Sequence, residues 1–114
     1  MSYSVDLVDS VFEFSKNKQA EALATLWPNL DVDWPKLFSI FGYTPEYHIE
    51  TGNITNLKYS SSFFGVDKAF FELLAPYVTA SSYLQYQGED GARWRWVFTD
   101  GKMIEVELKK GYAR

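Results

Sequence analysis

The sequence predicts an α+β domain with N-terminal helices, a β-hairpin, a further helix and a C-terminal three-stranded antiparallel meander. Apolar residues recur at helical spacing through the first third of the chain and again after Asp67. The last third instead alternates apolar and polar residues around two Asp-Gly pairs, which is typical of strands joined by tight turns. Helices packed on one face of an antiparallel sheet would then form a single α+β domain over residues 1–114.

The stretch SVDLVDSVFEF near the start of the chain is predicted to be a helix. Its residues Val5, Val8 and Phe12 fall on one helical face, at spacings of three and four. A strand would need unbroken alternation of apolar and polar residues, and the neighbours Leu7-Val8 and Val11-Phe12 interrupt it. We therefore expect a helix as the first element.

Two more helices are predicted before the hairpin. The segment NKQAEALATLWP ends at Pro28, because proline cannot continue a helix. The segment DWPKLFSIFG has Asp33 as a capping residue and Gly42 as a left-handed exit. The buried stripes would be Ala20, Leu23, Ala24 and Trp27 in the first and Leu37, Phe38 and Phe41 in the second.

The segment EYHIETGNITNLKYS predicts a β-hairpin. Matching the apolar faces of its two strands would pair Ile49 with Leu57 and Tyr47 with Tyr59. That register leaves a three-residue loop from Gly52 to Ile54, which is an acceptable hairpin turn. The sequence does not decide whether this hairpin joins the C-terminal strands in one sheet.

A helix capped by Asp67 is predicted after the hairpin. Its inward-facing residues would be Phe70, Leu73 and Leu74. Pro76 would end or kink it.

The two Asp-Gly turns are predicted to be three-residue loops that set the register of the meander. With such loops Tyr86 opposes Trp94 and Leu84 opposes Trp96, while Trp96 also opposes Ile104. A two-residue loop at Asp100-Gly101 would instead place Trp residues opposite acids, so we reject it. The apolar face would consist of Leu84, Tyr86, Trp94, Trp96, Phe98, Ile104, Val106 and Leu108. The opposite face would carry two polar rows, Gln85-Arg95-Glu105 and Gln87-Arg93-Glu107.

Composition excludes several kinds of site. The 114 residues include no Cys, so a disulfide framework, a thiolate zinc site and a Cys nucleophile are excluded. The first residues lack the pattern of a signal peptide, and no run of about 18 apolar residues could span a membrane. We expect a cytoplasmic protein that has no cofactor and contacts no membrane, typical of a small bacterial or phage accessory protein.

The run Arg93-Trp94-Arg95-Trp96 is the strongest candidate for a nucleic-acid surface. Proteins that bind single strands place cations and stacking aromatic rings on one accessible surface. Strand alternation here puts the arginines and the tryptophans on opposite faces. With a net charge of −4, we therefore expect no nucleic-acid partner.

Acidic residues near the start of the chain are the second candidate surface. On the predicted helix, Asp6, Asp9 and Glu13 share one face and could form a docking surface for a basic protein, which Asp31 and Asp33 could extend. The single His48 has no catalytic or metal-binding motif around it, so we expect an exposed hairpin residue and no metal site.

The outer face of the meander is the third candidate surface. Its residues Arg93, Arg95, Glu105 and Glu107 would lie beside an apolar group of Tyr83, Val97 and Met103. Two alternatives stay open at this point, since the face could be exposed for docking or covered by a helix.

These patterns predict a non-catalytic protein-interaction module, such as an inhibitor, immunity-type or accessory protein with an acidic docking face. We expect its partner to be another protein, with a basic protein as the candidate, and an acidic surface that mimics DNA is a special case of the same interpretation. The alternative is a small-ligand-binding domain with an aromatic pocket between the helices and the sheet. An enzyme is the least favoured class, because no nucleophile and base can be assembled from the motifs.

Overall fold

The computed structural model describes residues 4–60 and 67–109 and confirms the predicted α+β class with its C-terminal meander. Four strands form an antiparallel sheet in the order β1-β4-β5-β6, and β2 and β3 form a separate two-stranded sheet. The elements in chain order are β1 (Val5–Val11), α1 (Lys16–Leu26), α2 (Trp34–Ile40), β2 (Tyr43–Tyr47), β3 (Ile54–Tyr59), α3 (Asp67–Leu74), a 3₁₀ turn (Ala75–Tyr77), β4 (Tyr83–Gly88), β5 (Arg93–Thr99) and β6 (Lys102–Leu108).

The first element is a strand, so the helix predicted there is wrong. Strand β1 pairs antiparallel with β4, and the register shifts between Leu7 and Asp9. Val8 is therefore the extra residue of a β-bulge, which interrupts apolar–polar alternation without ending the strand. The break at Leu7-Val8 that favoured a helix was the sequence signature of this bulge, and the break at Val11-Phe12 arises because Val11 is exposed while Phe12 is buried.

Helices α1 and α2 form where the sequence predicts them, but the buried stripe of α1 differs. Ser15 caps α1, and its buried residues are Gln19 and Ala22. Gln19 is buried because its amide donates hydrogen bonds to the backbone oxygens of Phe14 and Gly52, at 2.8 and 3.1 Å. The predicted burial of Ala20 and Ala24 is wrong, because both are exposed. Leu23 and Trp27 are partly buried, as predicted.

Helix α2 follows the predicted capping pattern. The Asp33 side chain accepts a hydrogen bond from the Lys36 backbone N–H at 3.1 Å, and Gly42 leaves the helix with φ +87°. Leu37 and Phe38 are buried, as predicted.

The hairpin forms, but with a different register. Tyr43 pairs with Tyr59 and Tyr47 pairs with Ile54, so residues 48–53 form the connection. Ile49, which the sequence paired with Leu57, lies in this connection and is 97% exposed. The longer loop places Ile54 in the core, where it also bridges Phe14.

Helix α3 packs on the inner face of the four-stranded sheet. Phe70 and Leu74 are buried as predicted, whereas Leu73 is 49% exposed and Phe71 is fully buried in its place. The Phe71 ring lies 5.9 Å from that of Trp96 on β5, so it joins the helix to the sheet.

The predicted register between β4 and β5 is confirmed, and the register between β5 and β6 is wrong. Trp96 pairs with Leu84 on β4 but with Glu105 on β6. The turn between β5 and β6 has two residues, Asp100 and Gly101, both with positive φ (51° and 73°). Asp-Gly is well suited to such a turn, because it matches the right-handed twist of the strands.

This register changes which residues of β6 face the core. The inner face carries Met103, Glu105 and Glu107, and Met103 is buried rather than on the outer face. Ile104, Val106 and Leu108 turn away from the core, contrary to their predicted placement. Trp96 tolerates an acid as its neighbour because its indole Nε1–H donates to Glu105 Oε1 at 2.8 Å.

Candidate functional site

The candidate site is the outer face of the four-stranded sheet, which we call the open face. Strand pairing arranges its residues in three rows that each cross β1, β4, β5 and β6. Among the described residues, the helices' buried rings pack against the other face, which holds Leu84, Tyr86, Trp96 and Phe98. The rows are Asp6–Gln87–Arg93–Leu108, Asp9–Gln85–Arg95–Val106 and Val11–Tyr83–Val97–Ile104.

The first two rows have the same chemical order. Each reads acid, amide, arginine and apolar residue from β1 to β6, and the third row is apolar or aromatic throughout. This order follows from the registers together with the bulge at Val8, which brings Asp9 onto the same face as Asp6.

A network of side chains holds Arg95 in the middle of the open face. Its Nε donates to Gln85 Oε1 at 3.1 Å, and one of its terminal nitrogens donates to the same oxygen. The guanidinium lies over the Tyr83 ring, 4.1 Å from the ring centroid. The Tyr83 hydroxyl donates to Asp9 Oδ2 at 3.0 Å, and this hydrogen bond raises the pKa of Tyr83. Three side chains from two strands, β1 and β4, therefore fix one arginine on β5.

Arg93 is held by one hydrogen bond to an amide of β4, as Arg95 is held by Gln85. Its Nε donates to Gln87 Oε1 at 3.0 Å. Within the described residues, the ion pairs join other side chains, and no carboxylate lies within 4.0 Å of Arg93 or Arg95. Each guanidinium keeps further N–H donors, in the planar fork that suits a carboxylate.

Apolar side chains flank the arginines on the open face. Ile104 is 47% exposed and Val106 is 40% exposed on β6, and Val11 is 44% exposed on β1. An exposed apolar edge beside fixed polar groups is a common composition for a protein-binding surface.

Five of the eight predicted site residues meet on the open face, namely Asp6, Asp9, Tyr83, Arg93 and Arg95. The other three do not. Glu13 follows the end of β1, where its backbone contacts Thr79 and the Ser82 hydroxyl.

Glu105 and Glu107 lie on the inner face of β6, opposite Trp96 and Trp94, so the predicted pairing of Arg95 with Glu105 and Arg93 with Glu107 is wrong. Besides accepting from the Trp96 indole, Glu105 lies 3.6 Å from Lys68 Nζ on α3. The sequence prediction failed here because it ignored the indole donor.

A buried hydrogen-bond chain was missed by the sequence analysis. The Tyr43 hydroxyl donates to Asp67 Oδ2 at 2.9 Å and lies 2.6 Å from the Tyr86 hydroxyl. Because the single Tyr43 proton is directed at Asp67, Tyr86 is the donor to Tyr43. Burial raises the pKa of both tyrosines well above the ordinary value. Asp67, predicted as a helix cap, is only 2% exposed, and no motif in the sequence links it to tyrosines 24 residues before it and 19 residues after it.

His48 is exposed in the hairpin connection, as predicted. Its Nδ1 accepts hydrogen bonds from the backbone N–H groups of Glu50 and Thr51, both at 3.3 Å. It shapes the turn.

Aromatic rings occupy the space between the helices and the sheet. Phe12 makes edge-to-face contacts with Phe71 and Phe98, with ring centroids 5.8 and 5.6 Å apart. An open cleft of about 350 Å³ lies instead between β1 and β3, lined in part by Val8, Asp9 and Tyr59.

In the ranges 4–60 and 67–109, no group of three or more His, Cys, Asp or Glu side chains is arranged to hold a metal ion. No helix in these ranges is long and apolar enough to cross a membrane. Comparison of the chain with protein-family models, with curated proteins and with solved structures finds no match.

Proposed function

We propose that the protein is a non-catalytic interaction module that binds another polypeptide on the open face. The observation that carries this proposal is the Asp9–Tyr83–Arg95–Gln85 network on a face whose apolar edge is exposed. Exposed networks of this kind contribute little to folding, on the order of 0–1 kcal/mol. Their larger effect is to fix the arginine before a partner arrives, which lowers the entropic cost of binding.

The residue types of the open face support a protein partner. Tyr and Arg are enriched among the residues that dominate binding energy in protein interfaces. The partner would present carboxylates to Arg93 and Arg95, cations to Asp6 and Asp9, and apolar groups to the third row. A purely basic partner is a poorer fit, because the acids share their surface with two arginines.

The small-ligand alternative has less support than the open face. It would need its pocket between the helices and the sheet, where Phe12, Phe71 and Phe98 are packed together. The interaction module is therefore the function that the geometry favours.

A short acidic peptide tests whether the arginines dock a polypeptide. Arg93 and Arg95 are two residues apart on one strand, roughly 6.6 Å, which matches alternate side chains of an extended peptide. We expect the blocked peptide Val-Glu-Val-Glu-Val to shift NMR amide signals of β4 and β5 with a dissociation constant on the order of 1 mM.

Two controls define the result. The peptide Val-Gln-Val-Gln-Val should leave these signals unchanged, and so should the acidic peptide added to the Arg93→Gln/Arg95→Gln variant. A Lys18→Gln/Lys36→Gln variant, changed on the helices, should bind like the unmodified protein. Equal binding of both peptides, or shifts confined to other elements, would refute docking at the arginines.

A further inference from the structure

We infer that the open face binds a second copy of this chain, with the two sheets stacked face to face about a two-fold axis parallel to β4. This inference rests on the proposed function, because it uses the same surface and names its partner. It is carried by the chemical order of the three rows.

A two-fold axis along β4 exchanges the β1 and β5 positions of each row and keeps the β4 position, without moving the row along the strands, while β6 lies beyond the overlap. Asp6 then lies over Arg93 of the second copy, and Asp9 lies over Arg95 of the second copy. The symmetry repeats both contacts, so the dimer gains four acid–arginine contacts. Gln85 and Gln87 lie over their own counterparts, where amides can both donate and accept.

The third row is also self-complementary under this axis. Val11 lies over Val97 of the second copy, and Tyr83 lies over Tyr83 of the second copy. All three rows therefore match with one operation, acid to arginine in two of them and apolar to apolar in the third.

Other two-fold axes do not give this match. An axis between β4 and β5 places acids over the apolar residues of β6 and arginines over glutamines. An axis perpendicular to the strands through the central row places Arg95 over Arg95 of the second copy. Closed isologous contacts require a self-complementary patch, and the row order supplies one only for the axis along β4.

The stacking is compatible with sheet geometry. Two sheets pack face to face about 10 Å apart, with strand directions differing by roughly 30°. Such a rotation about the central row moves the outer rows sideways by about 3.3 Å, which is about two-thirds of the spacing between strands. Long arginine side chains can span that offset.

The size of the face predicts a weak dimer. The three overlapping strands β1, β4 and β5, about 4.8 Å apart and six or seven residues long, cover a footprint of roughly 10 by 20 Å. Two such faces are smaller than a standard specific protein interface, so the dimer should be weak and should form only as concentration rises.

Charge reversal tests the pairing directly. The Asp6→Arg/Asp9→Arg variant places arginine over arginine, and the Arg93→Glu/Arg95→Glu variant places acid over acid. In sedimentation equilibrium we expect the unmodified protein to dimerise, and each variant alone to dissociate roughly 100-fold more easily. An equimolar mixture of the two variants restores acid over arginine at all four contacts, so dimers should return.

A matched control separates this effect from net charge. The Glu50→Arg/Glu72→Arg variant makes the same change in net charge as Asp6→Arg/Asp9→Arg, at exposed positions away from the open face, and should dimerise normally. Circular dichroism checks that each variant is folded. If the Arg93→Glu/Arg95→Glu variant does not fold, Arg93→Gln/Arg95→Gln should still weaken the dimer.

Three results would overturn the inference: a monomer at the highest soluble concentration, a dimer insensitive to both reversals, or a mixture that stays monomeric. The acidic peptide then separates this failure from that of the proposed function. Peptide binding by a monomeric protein means that the open face docks a different polypeptide, and loss of both refutes the docking surface itself.

Discussion

Replacing Tyr43 by Phe removes one hydroxyl from the middle of the buried chain Tyr86–Tyr43–Asp67, and we expect a loss of about 3 kcal/mol of folding stability. The Tyr43 hydrogen bond to Asp67 involves a buried carboxylate, and such bonds contribute roughly 1.5–3 kcal/mol. The same change removes the hydrogen bond between the Tyr43 and Tyr86 hydroxyls, 2.6 Å apart, which adds about 1 kcal/mol. Little is gained in return, since the ring itself is retained.

Urea unfolding followed by Trp fluorescence measures this loss. Tyr47→Phe is the matched control, because Tyr47 is 42% exposed and should change the free energy of unfolding by less than about 0.5 kcal/mol. A Tyr43→Phe variant within that same margin of the unmodified protein would refute the view that the chain stabilises the fold.

Three further outcomes are expected. Burial raises the pKa of Tyr43 and Tyr86, so the folded state keeps two protons that the unfolded state loses above pH 10. The free energy of unfolding should therefore fall by about 1.4 kcal/mol per pH unit for each tyrosine. Urea midpoints that stay constant up to about pH 11 would contradict this. Gly101→Ala should cost about 1 kcal/mol in thermal unfolding, because φ is +73° there and side chains disfavour that conformation; an unchanged melting temperature would contradict it. Glu105→Gln keeps an oxygen acceptor for the Trp96 indole, so its free energy of unfolding should be nearly unchanged, whereas Glu105→Lys should lower it by about 1 kcal/mol. Equal stability of the two variants would show that the indole hydrogen bond does not stabilise the β5–β6 register.

Local sequence patterns predicted the parts of the fold that depend on neighbouring residues. The capping of α2 by Asp33 and its exit at Gly42 are set within a few residues. The β4–β5 register was predicted because both faces of that hairpin match in the same pairing.

The failures came from features that alternation alone does not describe. Apolar alternation was interrupted at Val8 by a bulge, which mimics helical spacing over a short segment. The β5–β6 register was rejected because Trp96 faced an acid, although an indole N–H needs an acceptor.

The candidate site could be predicted only in part for the same reason. Alternation placed Arg93 and Arg95 on the outer face, away from the tryptophans, and the structure confirms this. The pairing of β1 with β4 joins Asp9 to Gln85, residues far apart in the chain, and no local pattern reports such a contact. Because Asp6 and Asp9 were assigned to a helix, the sequence could not predict the order of residues in the rows of the proposed docking surface.

A single-cysteine cross-link tests the central claim most directly. The chain has no Cys, so Gln87→Cys places one thiol on β4, close to the inferred axis, and Glu72→Cys places one on the exposed side of α3 as a control. With the sheets about 10 Å apart, a short bis-maleimide should join two Gln87→Cys chains efficiently and two Glu72→Cys chains poorly. Equal cross-linking at the two positions, or none at position 87, would contradict the docking of a second copy on the open face.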